Sequence, residues 1–131
     1  MTGAARLFRF AAVMFFVAAT VRPGIGYAGQ PTMNECFEAS DFIRNAALSR
    51  DGGVRSEVFL GRMEDDFSAM GSFPPQLRWF AHDPDDEAFL LAEARAVFER
   101  PAAAETHRVE FLRACIERMT AASAPSAPES P

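Results

Sequence analysis

The sequence has no lysine at all: its thirteen basic residues are all arginine. A guanidinium pairs with carboxylates through a planar fork that an ammonium cannot copy. An arginine-for-lysine coding bias yields the same composition, however, and we assign the arginines no binding role on this ground. Histidine, tryptophan and tyrosine are nearly as scarce, with two, one and one residues. There is no G-x-S-x-G turn to expose a serine nucleophile, no C-x-x-C pair for redox chemistry, and no second histidine beside His82 to build a zinc site. These absences remove the common hydrolase, oxidoreductase and zinc-enzyme constellations, so we expect no enzymatic activity and no cofactor. The apolar run from Phe10 to Val21 has 12 residues, well short of the roughly 20 that cross a bilayer. No strand-like alternation competes with helical spacing.

What the N-terminus does contain is the three-part plan of a secretory signal. Arg6 and Arg9 give a positive start, Phe10 to Val21 an apolar stretch, and Pro23, Gly24 and Gly26 a break before Gly26-Tyr27-Ala28. We expect residues 1–28 to be a signal peptide cut between Ala28 and Gly29, leaving no stable membrane anchor. Cys36 follows Thr-Met-Asn-Glu rather than small apolar residues, so no lipid is expected on it. Without those 28 residues, 103 of the 131 remain, the size of one domain. Arg6, Arg9 and Arg22 leave with the leader, and ten arginines then face eighteen carboxylates, a net charge of −8. A chain this acidic is repelled by nucleic-acid phosphates and anionic lipid, which excludes nucleic acid as a partner.

Both cysteines lie in the mature chain. Two cysteines in a small exported domain normally form one bridge, and we expect a structural disulfide between Cys36 and Cys115 rather than two free thiols or a redox pair. The 79 positions between them would make its loop-closure contribution about 4 kcal/mol.

The mature residues read as an all-α domain: four helices and one short helical turn, closed by that bridge, over 29–120, with 121–131 a disordered Ala/Ser/Pro tail. Thr32-Met33-Asn34-Glu35 has the capping-box form. The helix it opens runs to about Ser49 with Cys36, Ala39, Ile43 and Ala47 on one stripe, and Asp51-Gly52-Gly53 stops it. Ser56 is the expected N-cap of the second helix, whose Phe59, Leu60, Met63, Phe67 and Met70 oppose Glu57, Arg62, Glu64 and Asp65. Gly71 ends it, and Pro74-Pro75 interrupts the chain. Residues 76–80 are expected to form a short turn with Leu77, Trp79 and Phe80 pointing inward. Asp83 should cap a third helix with Pro84 in its first position and three acids after it, ending at Arg100. A fourth runs from Ala104 or Thr106 to Met119 with Val109, Leu112, Ile116 and Met119 as its core stripe. A bridge requires Cα atoms within about 7 Å, so the first and fourth helices must touch, antiparallel. Most of the phenylalanines should share one core with Trp79.

Four groups are weighed for function. His82, Asp83, Asp85 and Asp86 are metal-ligating residue types in one short segment, but their spacing is not that of a calcium loop; N-capping accounts for them, and no metal is expected. Arg78, Trp79 and Phe80 are either an interaction patch, since Arg and Trp are enriched at hot spots, or a hydrophobic plug with Arg78 outward. Arg50-Asp51-Gly52-Gly53 reads as a helix stop rather than an anion site. His107 stands two turns before Cys115, which would serve a cysteine nucleophile only if the thiol were free.

The stretch CFEASDFIRNAALSRDGGVR, with Cys36, Ala46, Ala47, Arg50, Asp51, Gly53 and the late Cys115, resembles small secreted two-cysteine helical proteins of proteobacteria of unknown function. The resemblance implies a compartment and no activity. In architecture alone the chain is also similar to Hde-type periplasmic acid-stress chaperones. The expected function is a protein-binding or accessory module, periplasmic or secreted, with a protein partner of unknown identity. The alternatives are an acid-responsive holdase and a metal binder or metal-dependent enzyme at 82–87.

Overall fold

The structure is a computed structural model that describes residues 31–124. The expected signal peptide and the end of the expected tail lie outside the described residues. Four helices follow in order: α1 (Met33–Asp51), α2 (Ser56–Met70), α3 (Pro84–Glu99) and α4 (Ala104–Ser123), with a 3-10 turn at Pro75–Leu77. The capping box is present: Thr32 Oγ1 accepts from Glu35 N at 3.2 Å, and Thr32 N donates to a Glu35 carboxylate oxygen at 2.8 Å. Asp83 caps α3, accepting from Asp86 N at 2.9 Å. Gly53 takes φ +93 just past α1, a left-handed turn that glycine enters without steric cost. Three boundaries differ from the sequence reading. Ser56 is the first residue of α2, and Arg55 caps it without a side-chain bond. The turn sits at 75–77 rather than 76–80. Helix α4 runs on to Ser123, past the expected end at Met119 and into the expected tail, because alanine continues a helix readily.

Cys36 and Cys115 are bonded, with their Cα atoms 5.9 Å apart. From that tie α4 runs back along α1. Arg108 pairs with Asp41 at 2.8 Å, Arg44 with Glu105 at 3.5 Å, and Arg50 reaches the Ala102 carbonyl at 2.8 Å. The register is antiparallel. Arg50 also reaches Val97 O at 2.6 Å, near the end of α3, while Glu35 meets His82 just before its start, so α1 and α3 are parallel. Phe59 of α2 packs on Phe98 of α3 at 5.5 Å between ring centroids, and Phe67 and Gly71 lie beside Leu91 and Pro84, so α2 runs against α3. The result is an up-down-up-down array.

The core begins with the small face of α1. Ala39, Ser40, Ala46 and Ala47 are fully buried, which lets α3 and α4 approach closely. Into it project Ile43, Leu90, Val97, Phe80 and Phe111. A row of aromatic contacts, Phe98–Phe59–Phe42–Trp79–Phe80, then Phe89 and Phe111, crosses the molecule with neighbouring centroids 5.5 to 6.2 Å apart. Each such pair adds roughly 0.5–1.5 kcal/mol beyond its burial. The expected shared core is therefore present, with two exceptions: Phe37 and Phe73 are exposed. Leu77, expected inward, is 69% exposed on the tip of the turn.

The core face of α4 also differs. His107, Phe111 and Cys115 are buried, while Val109 is exposed and Leu112 and Ile116 are half-buried. Cys115 can meet Cys36 only with its own face inward, and that rotation carries Val109 out. The bridge fits an extracellular or periplasmic location; among the described residues no helix is long and apolar enough to cross a membrane.

Candidate functional site

Helix α1 packs on α4 and α3, and α2 packs on α3; α1 and α2 meet chiefly through Phe42 and Phe59. The space left between them is an apolar cleft of about 310 Å³ lined by Phe42, Met63, Phe67, Met70, Trp79 and Leu90. Asp66 and Ala69, both exposed, stand at its edge. The two thioethers are flexible and polarisable, which lets such a wall adapt to differently shaped occupants. The volume is at the lower end of the roughly 300–1,000 Å³ range of ligand sites, enough for one bulky apolar side chain or a small amphiphile. The one ionisable group in the lining is Asp66, at the edge.

One wall of the cleft, Trp79, belongs to the connector between α2 and α3, and the connector is held by polar ties. Arg78 donates to Phe73 O at 2.7 Å and Gly71 O at 3.0 Å, closing the end of α2. The Trp79 indole N–H donates to Glu38 at 2.8 Å. Phe80 has φ +49, a left-handed conformation that costs a non-glycine residue roughly 1–2 kcal/mol. It is repaid by complete burial of the ring and by a bond from Phe80 N to Glu35 at 3.3 Å. The three residues of the expected patch are thus divided: Phe80 is a plug inside the core, Arg78 a clasp, and Trp79 a half-buried wall.

The histidine and acids of 82–86 are also drawn apart. His82 Nε2 lies 3.0 Å from both Glu35 carboxylate oxygens, and Nδ1 2.9 Å from Pro75 O. Asp83 is spent on its cap, Asp85 is exposed, and Asp86 is buried against Arg118 of α4. No three potential metal ligands converge among the described residues. Asp83 thus caps α3, while His82 and Asp86 are tied to Glu35 and Arg118.

Glu35 is the centre of these ties. Burial pushes its carboxyl up, but bonds from Thr32 N and His82, the His82 charge and a bond from Phe80 N outweigh that and hold it below its ordinary 4.5. Burial pulls His82 down, yet the bonds to Glu35 and Pro75 and the charges of Glu35 and Asp86 hold it above 6.5. Glu35 therefore stabilises the fold above about pH 4.5, and loses that contribution as pH falls through its lowered value. His82 contributes fully below about 6.5, and loses its share as pH rises through its raised value. The pair is strongest between those limits. We predict that His82→Gln costs about 1 kcal/mol there, with the difference from wild type shrinking at both ends of a urea-midpoint series from about pH 3 to 9.

Asp86 was not singled out as a buried group by its sequence, although it lies on the Asp86, Leu90, Ala94, Val97 stripe that α3 buries. Its carboxyl is raised above its ordinary 3.8, first by burial and further by Asp83, against the bond and charge of Arg118 and the charge of His82. One carboxylate oxygen has no hydrogen-bond partner. The Arg118 guanidinium stacks over Phe89 at 4.9 Å. Losing one member of a buried pair costs about 3–5 kcal/mol; Arg118 is one-third exposed, which screens the pair, so Arg118→Met should cost about 2 kcal/mol. Adding Asp86→Asn should return part of that loss, read as the midpoint of urea unfolding.

The other buried ionisable side chain, His107, belongs to a second junction. Arg50 reaches from the end of α1 to Val97 O, Arg100 O and Ala102 O at 2.6, 3.1 and 2.8 Å, and His107 Nε2 lies 3.0 Å from Arg100 O. Arg50 thus does more than precede the glycine stop; it satisfies the carbonyls that end α3 and lead into α4. The signal in the sequence is its place on the row Ile43, Ala46, Ala47, Arg50, where a core residue is due. Comparison with protein-family models, with curated proteins and with solved structures finds no match for this chain.

Proposed function

We propose that the protein is exported, loses residues 1–28, and acts in the periplasm or outside the cell as a helical binding module for another protein. The observation that carries this reading is the apolar cleft between α1, α2 and Trp79, wide enough for one large side chain of a partner. Export is supported by the signal-like leader in the sequence and by the bridge, which an oxidising compartment maintains. Trp79 is the sole tryptophan of the chain and lines the cleft, so its fluorescence reports occupancy. A neutral apolar dye such as Nile red should quench or shift that emission saturably in the oxidised protein. Ala69→Phe, which fills the cleft from its exposed edge, should abolish the effect. An unchanged titration in that variant, or no titration in wild type, rejects the cleft as the binding site.

An acid-responsive holdase is the second reading, favoured by one observation: two ties of the connector that buries Phe80, from Phe80 N and from His82, converge on one carboxylate, Glu35. Protonation of Glu35 in strong acid removes that hold. Suppression of client aggregation at about pH 2–3 and not at 7 supports this reading; equal behaviour at both rejects it.

A further inference from the structure

The ion pairs of the described residues are unevenly placed. They join α1, α3, α4 and the 82 position, through Arg44, Arg50, Arg100, Arg108, Arg118 and His82. None involves α2, whose Glu57, Glu64, Asp65 and Asp66 lie on exposed surface. Two apolar concavities flank the second half of this helix. The cleft with Met63, Met70 and Trp79 is on one side and has Asp66 at its edge. A shallower groove with Phe67, Ala88 and Leu91 is on the other, edged by Glu64 and Glu87. The last turn of α2 contains no basic residue, so the negative end of its dipole adds to the same field.

Resting on the cleft as a binding site, we infer that the α2 face takes a cationic amphipathic segment of a partner protein, with apolar side chains in the two concavities and Lys or Arg opposite Glu64, Asp66 and Glu87. Apolar anchors at helical spacing between flanking charges are the usual form of such a ligand; α2 carries four acids against one cation, Arg62, and none of them is in an ion pair among the described residues, which is the complement it needs. A second copy of this chain is a poor occupant. It would bring one acidic α2 against another, and its partly exposed apolar strip of Val109, Leu112 and Ile116 is flanked by Glu110 and Glu117 as well as Arg113. Anionic lipid and nucleic acid are repelled by the same field.

The test uses oxidised mature protein and three synthetic 14-residue helical peptides that share one leucine pattern and carry lysine, glutamine or glutamate on the polar face. Affinities are read from Trp79 fluorescence and calorimetry. The lysine peptide should bind at least tenfold more tightly than the glutamine peptide at low salt, and the glutamate peptide should not bind. The preference should shrink several-fold in about 0.5 M salt, where the screening length is only a few ångströms. Glu64→Gln, Asp66→Asn and Glu87→Gln together should bring the lysine-to-glutamine ratio close to one. Ala69→Phe should weaken the lysine peptide too; if it does not, the peptide adheres to acidic surface generally and the inference is overturned. Equal lysine and glutamine affinities, with Nile red still binding, overturn the cationic partner and leave the cleft standing. If neither peptide nor dye binds, both readings fall.

Discussion

Replacing Cys36 and Cys115 by serine should lower the stability of the domain by about 4 kcal/mol and its Tm by on the order of 20 °C. The cause is almost wholly in the unfolded chain. The bridge spans 79 positions, so breaking it frees most of the domain to explore open conformations, and loop-closure entropy of that size is a large share of a typical stability of about 5–15 kcal/mol. Helix α1 loses little of its own, because its capping box and alanine face do not depend on the sulfurs. Calorimetry of oxidised protein, reduced protein and the double serine variant separates the two contributions. If reduction and substitution both leave Tm within a few degrees, the tie does not govern stability.

The second large effect is expected at Arg50. Its guanidinium serves three backbone carbonyls where α3 ends and the chain turns into α4, and its side chain is only 17% exposed. Arg50→Met keeps the apolar stem and removes every donor. Charged hydrogen bonds of this kind are worth roughly 1.5–3 kcal/mol each, and their buried acceptors pay when abandoned. Water can reach part of the site, so the total should be about 3 kcal/mol rather than the sum. Arg50→Lys restores a single point donor in place of a fork and should recover less than half. Urea unfolding gives the magnitude. Amide exchange should localise it, with protection falling first at 97–104, and uniform loss over the chain would contradict the assignment.

The sequence reading succeeded where the determinants were local. Thr32, Asp83, Pro84, Gly53 and Gly71 act within one turn of their own position, and the helix limits they imply are met within a few residues. The bridge was legible because a signal-like leader and an even number of cysteines leave few alternatives, and from it the contact of α1 with α4 followed. What was not legible depends on rotation and on partners distant in sequence. Val109, Leu112 and Ile116 have a good helical period, and so do His107, Phe111 and Cys115; the period alone does not say which faces the core. Asp86 and His107 look like surface residues until Arg118 and the α3 end are brought beside them. Phe80 was named both as a plug and as part of a patch, and only the left-handed turn at that residue, tied to Glu35, decides for the plug. The cleft had no signature at all, since it arises from α2 leaning on α3 and away from α1.

Because the sulfur bridge joins the beginning of α1 to the second half of α4, nearly the whole domain lies inside one covalent ring. A protease that cuts once at the 71–74 connector, which is exposed throughout, would release no fragment. On a non-reducing gel the nicked molecule would keep its full mass, and only a thiol reagent would part it into two pieces. In a compartment rich in proteases, such a nick need not disperse the proposed binding face, because both halves stay threaded on the same loop.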